Sequence, residues 1–219
     1  MTGSEEQLDD LLDTLYDAVS IGDRDGVIEA VKALIAANVS PEIVLYDAMI
    51  PAIQEVGQQF ELGKAFVPEM LVSARAMQGG LDLLRPLLAQ ANVEPLAKAV
   101  IGTVLSDIHD IGKNMVGMMW GGAGFEVTDL GVNVPPARFV EAVRNGAQLL
   151  GISALLTTTM TNIPATIQAL KDAGLRDRVK VIIGGAPITA DFASEVGADG
   201  YAPDANRAVS VAKQLLGLT

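Results

Sequence analysis

Gly102-Thr-Val-Leu-Ser-Asp-Ile-His-Asp-Ile-Gly-Lys-Asn114 holds two kinds of pattern and the loop between them. An apolar run from Ala99 to Leu105 reads as a buried strand, and it stops at a polar loop carrying Asp107, His109 and Asp110. Gly112 opens a second segment, Met115 to Trp120, whose apolar period reads as a helix. His109 is the only histidine in the chain. A strand–loop–helix unit with its imidazole at the carboxyl end of the strand is where open α/β sheets place ligands.

Working outward from this loop, short apolar runs alternate with helical patterns from Lys98 onward. Ala99–Leu105, Phe125–Asp129, Leu149–Leu155, Val179–Ile183 and Gly200-Tyr201 read as strands. Met115–Gly121, Pro136–Asn145, Asn162–Ala173, Ala190–Val196 and Asn206–Leu216 read as helices. Such alternation predicts a doubly wound parallel sheet. The period changes around Ala91-Asn92-Val93-Glu94-Pro95, which divides the chain into domains 1–92 and 93–219. The first domain reads as helix throughout. Leu8, Leu11, Leu12, Leu15 and Val19 recur at helical spacing, and Val27, Ile28, Val31, Leu34 and Ile35 form a second set after Gly22-Asp23. Ser40-Pro41-Glu42 starts a third helix, with Ser as cap and Pro at its first position, and Pro51 should kink it. Gly57 and Gly63 frame a turn region. Pro68-Glu69 sits near the start of a fourth helix, which runs to about Leu87. Four amphipathic helices with short connections predict an antiparallel bundle.

Composition closes several classes. With no cysteine there is no disulfide, thiolate metal site, iron–sulfur cluster or cysteine nucleophile. No apolar run is long enough to span a bilayer, and the N-terminus shows no secretory signal, so no membrane partner and a cytoplasmic location are expected. A formal charge of −12 repels phosphate backbones and argues against nucleic-acid binding. Glu5, Glu6, Asp9, Asp10, Asp13, Asp17, Asp23 and Asp25 crowd the first segments. They read either as a solvated helical face or as a docking surface for a basic partner.

The first strand is not followed by Gly-x-Gly-x-x-Gly, which argues against a dinucleotide. Gly112-Lys113-Asn114 lacks the rest of a Walker loop, and no Gly-x-Ser-x-Gly elbow marks a hydrolase. Gly121-Gly122-Ala123-Gly124 reads as a helix ending. His109 is either a satisfied structural histidine or a ligand. Asp107, two residues before it, can hold one ring nitrogen and leave the other free for a metal or a proton. His plus Asp supplies too few donors for zinc, whereas one protein ligand suits a metal already held by a macrocycle. Ser153, Thr157, Thr158 and Thr159 end the third strand around Leu155 and Leu156, either as an ordinary strand end with capping Thr or as a slot for a large ligand. Gly184-Gly185 after the fourth strand is either a tight turn or a point of close approach.

Asp107-x-His109-x-x-Gly112, then Ser153-x-Leu155, then Gly184-Gly185, resembles the cobalamin-binding fingerprint of corrinoid proteins. The stretch from Gly102 to Asn114 looks like the methyltransferase branch, which includes cobalamin-dependent methionine synthase and the small corrinoid subunits of methanol, methylamine, betaine and methoxyaromatic systems. Gly63-Lys64-Ala65-Phe66-Val67-Pro68-Glu69-Met70-Leu71 and Ser73-Ala74-Arg75-Ala76-Met77 resemble that branch's helical cap. The resemblance implies an α + α/β chain: a four-helix bundle cap, then a flavodoxin-like, Rossmann-like cobalamin-binding domain with a parallel five-stranded sheet.

The same resemblance implies the following roles. His109 displaces the cofactor's lower base and binds cobalt (base-off, His-on). Asp107 holds its other nitrogen, and Thr159, where the family's best-known member has serine, completes a proton relay. Ile108, Asp110, Ile111 and Gly112 border the cofactor. Ser153, Leu155 and Thr157 line the pocket for the displaced nucleotide tail. Gly184, Gly185, Tyr201 and Ala202 lie further along it. Phe66, Val67, Met70 and Met77 from the cap cover the upper face, with plain bundle core as their alternative. The segment 91–96 serves as hinge. The implied cofactor is cobalamin or a related corrinoid, cycling between methylcobalamin and Co(I). The implied partners are a donor-specific methyltransferase, an acceptor methyltransferase (acting on tetrahydrofolate or a thiol) and a reductive activase, with the chain itself a non-catalytic methyl carrier. The alternatives are a cobalamin-sensing regulator, the small subunit of an adenosylcobalamin mutase, and a phospho-receiver domain.

Overall fold

A computed structural model describes residues 2–218, with side chains from residue 6. The chain divides into two compact units, Met1–Glu94 and Pro95–Thr219.

The first unit is helical: α1 Thr2–Ile21, α2 Arg24–Ala36, α3 Pro41–Ile43, a π-helical segment Val44–Met49, α4 Ile50–Glu61 and α5 Val67–Gln90. Because α3, the π segment and α4 run on without a break, four rods result. Their apolar stripes meet in a core that includes Leu15, Val19, Val27, Val31, Leu34, Met49 and Ile53. Asp23 caps α2 by accepting from the Gly26 N–H at 3.0 Å. Glu69 reaches back to the Phe66 N–H at 2.7 Å and so starts α5. Glu6, Asp9, Asp10, Asp13, Asp17, Asp23 and Asp25 are exposed, while the side chain of Glu5 lies outside the described residues.

Three expectations for this unit change. Ser40 makes no side-chain cap, and the helix starts on Pro41 with the Ser40 carbonyl accepting from Val44 at 3.2 Å. Just before Pro51 the chain forms a π-helical turn that the sequence pattern does not predict. The preceding turn widens, with the Ile50 N–H reaching Leu45, and this five-residue reach moves backbone away from the proline ring. Gly57 lies inside α4, and Gly63, at φ 69°, makes the turn alone.

The second unit comprises β1 Lys98–Thr103, α6 Ile111–Gly122, β2 Glu126–Asp129, α7 Pro136–Arg144, β3 Leu149–Ser153, α8 Asn162–Asp172, β4 Lys180–Gly184, α9 Ala190–Val196, β5 Gly200–Tyr201 and α10 Ala205–Leu216. All strand pairs are parallel and the sheet order is β2-β1-β3-β4-β5, the flavodoxin-like order. One face packs Val100, Leu150, Ile152, Val181 and Ile183 against Phe139, Ile163, Ile167 and Leu170. The other packs Ala99, Ile101, Leu149 and Ile182 against Trp120, Phe125, Ala208 and Ala212. The Trp120 indole N–H donates to the Ala208 carbonyl at 3.0 Å, which satisfies the one polar atom of a fully buried ring.

β1 and β3 are adjacent, and the chain leaves them toward opposite sides of the sheet. The crevice beyond their carboxyl ends is therefore the topological switch point of the fold. Among the described residues no helix is long and apolar enough to cross a membrane.

Candidate functional site

The loop after β1 delivers Asp107 and His109 to that crevice. Asp107 is 1 % exposed, and a carboxylate so buried needs partners. It has four. Oδ1 accepts from the His109 backbone N–H at 3.0 Å and faces the His109 ring Nδ1 at 2.7 Å. Oδ2 accepts from the Leu155 N–H at 2.8 Å and from the Thr159 hydroxyl at 2.6 Å. Burial pushes the carboxyl pKa up, but the hydrogen bonds from Thr159, Leu155 and His109 outweigh it and hold the group well below the usual carboxylate range. Asp107 is thus an anion, and the ring proton of a neutral His109 belongs on Nδ1. Nε2 is left with its lone pair, and the His109 side chain is 45 % exposed.

The strand ends differ from the expected ones for reasons that lie in this site. β3 stops at Ser153 because the Leu155 amide leaves the ladder for Asp107. β1 ends at Thr103, with Val104 still donating to the Ser153 carbonyl at 3.0 Å, and the buried Thr103 hydroxyl donates to the His109 carbonyl at 2.8 Å. α6 begins at Ile111, four residues before the apolar pattern does, since its first turn is inverted. Ile111 is 75 % exposed whereas Lys113 is buried, with Nζ 2.5 Å from Asp129 Oδ2 and 2.5 Å from Asn114 Oδ1. Asn114 in turn donates to Asp110 at 3.1 Å.

The remaining residues of the second unit gather at the same carboxyl edge. Ser153 pairs with Thr103 and with Gly184 across the sheet. Leu155 and Thr157 are exposed, and Tyr201 is half-buried. Ala202 is buried, and its carbonyl lies 2.8 Å from where a Cβ on Gly184 would stand. Gly185 has φ 128° and packs against the Ala154 carbonyl so closely that no side chain would fit, so both glycines are required by the chain's own backbone. Gly112 differs: no positive φ and no neighbour within 4 Å calls for glycine there. In the first unit the structure separates the four cap candidates. Phe66 and Val67 are 66 % and 46 % exposed, while Met70 and Met77 are buried. Among the described residues no three His, Asp or Glu side chains gather around a possible ion.

Thr103, Lys113 and Asn133 are missing from the expected set. Their signals in the sequence are faint: a hydroxyl in an apolar strand, a basic residue inside a helical pattern, and an Asn two residues before Pro135.

A flavodoxin-like sheet whose switch point presents a single carboxylate-anchored imidazole defines a binding protein for a large, metal-centred cofactor. Residues 97–210 match the family described as B12 binding domain, and residues 11–85 match a second family of the same description. The chain belongs to the B12-binding corrinoid proteins. It is similar to dimethylamine corrinoid protein 3 of Methanosarcina acetivorans, 43% identical over 95% of this chain and 98% of that one. Among solved structures it resembles the methanol:cobalamin methyltransferase complex of Methanosarcina barkeri, with a TM-score of 0.82 and 29% identity over 96% of this chain and 81% of that one. It also resembles a cobalamin-binding protein from Desulfitobacterium hafniense, with a TM-score of 0.75 and 32% identity over 93% and 97% of the two chains.

The site fits a corrinoid on its own geometry. The apolar side chains of Ile108 and Ile111, each about three-quarters exposed, flank His109, and Leu105, Leu155 and Leu156 add exposed apolar surface at the same strand ends. Gly112 leaves the first turn of α6 bare. A flat macrocycle lying against this loop would cover these exposed apolar side chains.

Proposed function

We propose that the chain carries a methyl group on a corrinoid bound base-off and His-on, between a donor-specific methyltransferase and an acceptor methyltransferase acting on tetrahydrofolate or a thiol. The observation that carries this reading is the line Thr159–Asp107–His109, which ends in a free Nε2 at the switch point. When bound, the corrinoid supplies the cobalt that accepts and yields the methyl. The protein residues would set how firmly His109 holds that cobalt. Asp107 Oδ1 draws on the Nδ1 proton and makes Nε2 a better donor, whereas the Thr159 hydroxyl and the Leu155 amide on Oδ2 moderate that pull. A proton delivered along this line would weaken the Nε2 grip.

In this reading Ser153, Leu155, Thr157, Gly184, Gly185, Tyr201 and Ala202, all at the carboxyl ends of β3, β4 and β5, would line the channel for a nucleotide tail. Residues 1–92 act as the cap. Phe66 and Val67, exposed on the bundle, are the better candidates for the upper face, and Met70 and Met77 serve the bundle itself. The names of the curated relatives make a methylated amine the first donor to test. A reductive activase would restore cofactor oxidised by chance.

The direct experiment is reconstitution of the recombinant protein with cobalamin, then exposure to methylated amines and a cognate methyltransferase. Methylation of the bound corrinoid, detected by its absorbance, is expected. Failure to bind cobalamin at all would refute the reading.

A further inference from the structure

Ser106 and Asn133 are non-glycine residues held in left-handed backbone, at φ 65° and 54°. Such conformations persist only where neighbours hold them. These two hold each other. The Ser106 N–H donates to the Asn133 side-chain Oδ1 at 2.8 Å, and the Asn133 backbone N–H donates to the Asp107 carbonyl at 2.8 Å. One residue on the β2–α7 loop thus clasps the dipeptide Ser106–Asp107 at both ends. Asn133 is exposed, so core packing does not explain the arrangement.

The loop that presents Asn133 is itself anchored. Asp129 accepts from the Gly131 N–H at 2.8 Å with Oδ1 and from buried Lys113 with Oδ2. Gly131 accepts from the Thr103 N–H at 3.0 Å, and the Val134 N–H donates to the Thr103 carbonyl at 2.9 Å. The loop on either side of Asn133 is therefore tied to Thr103, at the end of the strand that leads into Asp107.

We infer that Asn133 is a positioning residue for the cofactor site. By fixing Ser106 in left-handed backbone it fixes the Asp107 Cα, and with it the carboxylate that orients the His109 ring. The meaning for cobalt ligation rests on the proposed function, but the effect on the ring does not.

The test uses the protein without cofactor, because His109 is the only imidazole and its nitrogens can be read by 15N–1H correlation without ambiguity. Three variants separate backbone from side chain. Asn133→Asp keeps an Oδ acceptor, Asn133→Gly keeps left-handed backbone without the acceptor, and Asn133→Ala loses both. The wild type and Asn133→Asp are expected to show one tautomer with the proton on Nδ1. Asn133→Gly, although folded by circular dichroism, is expected to show the Nε2-protonated form increased at least several-fold. An Asn133→Gly spectrum identical to wild type would overturn the inference. A wild-type ring already divided between tautomers would overturn it together with the Asp107–His109 pairing. Absence of His109 from cobalt in the loaded protein would defeat the proposed function alone.

Discussion

Asp107 uses a single oxygen, Oδ1, to hold both the backbone N–H and the ring Nδ1 of His109, at 3.0 and 2.7 Å. The turn and the imidazole are therefore both oriented by the same atom. Oδ2 is committed to the β3 side through Leu155 and Thr159. One carboxylate thus joins the two strands that flank the switch point.

The hydroxyl of Thr159 is the group that matters at that position. Thr159→Val keeps the shape but removes one of two hydrogen bonds to Oδ2 of a buried carboxylate, and about 1.5–3 kcal/mol of stability should be lost. Thr159→Ser should lose well under half of that. Urea unfolding of the cofactor-free protein measures both, and equal losses would show that methyl packing rather than the hydrogen bond is at stake.

The pH dependence follows from the direction of the Asp107 shift. Its folded pKa is depressed, so its contribution to stability is complete above the unfolded value of about 4 and is lost as pH falls below it. The stability gap between wild type and Asp107→Asn should be flat from neutral pH to about 5, then narrow with acid. Thermal unfolding across this range checks the trend. A gap that widened on acidification would mean the carboxyl is not held ionised.

Gly112 should dissociate stability from binding. Alanine there meets no neighbour and has the better helix propensity, so Gly112→Ala should stabilise the cofactor-free protein by up to about 1 kcal/mol. The same methyl group should weaken cobalamin binding, and Gly112→Leu should weaken it much further. Thermal unfolding and cobalamin titration of the same samples give both numbers.

Buried Lys113 and half-exposed Asp129 form the anchor under the β2–α7 loop. Asp129→Ala leaves a buried ammonium with Asn114 as its named partner, and on the order of 2 kcal/mol should be lost; this is below the cost at a fully buried pair because Asp129 is itself half-exposed. Adding Lys113→Met should recover part of the loss, since an apolar chain has no charge to orphan. A double-mutant cycle in urea reads the coupling.

Part of this site is legible in residue types. An acid two residues before a lone histidine can hold one ring nitrogen, and alternation of strands and helices puts that strand end at the carboxyl edge of a parallel sheet. Residue types alone leave a structural histidine open, and the cobalt-binding reading of His109 comes from the resemblance to corrinoid proteins. What could not be read were positions where a local rule yields to the site. Leu155 looks like strand but gives its amide to Asp107. In the first turn of α6 the apolar Ile111 is exposed and the charged Lys113 is buried, the reverse of the usual placement of such residues. Asn133 acts through its backbone angle and one side-chain oxygen, and neither leaves a hydrophobic pattern. In the bundle, Pro51 is visible as a disruption, but the π-helical turn just before it leaves no hydrophobic signal in the sequence.

The most direct measurement follows from there being one histidine in the chain. Protein grown with 15N-histidine, loaded with cobalamin and reduced to the cobalt(II) form carries its label at His109 alone. Its electron paramagnetic resonance spectrum should show the axial nitrogen splitting change from the three lines of 14N to the two lines of 15N. A three-line pattern untouched by the label, or no nitrogen splitting at all, would mean that His109 is not the cobalt ligand.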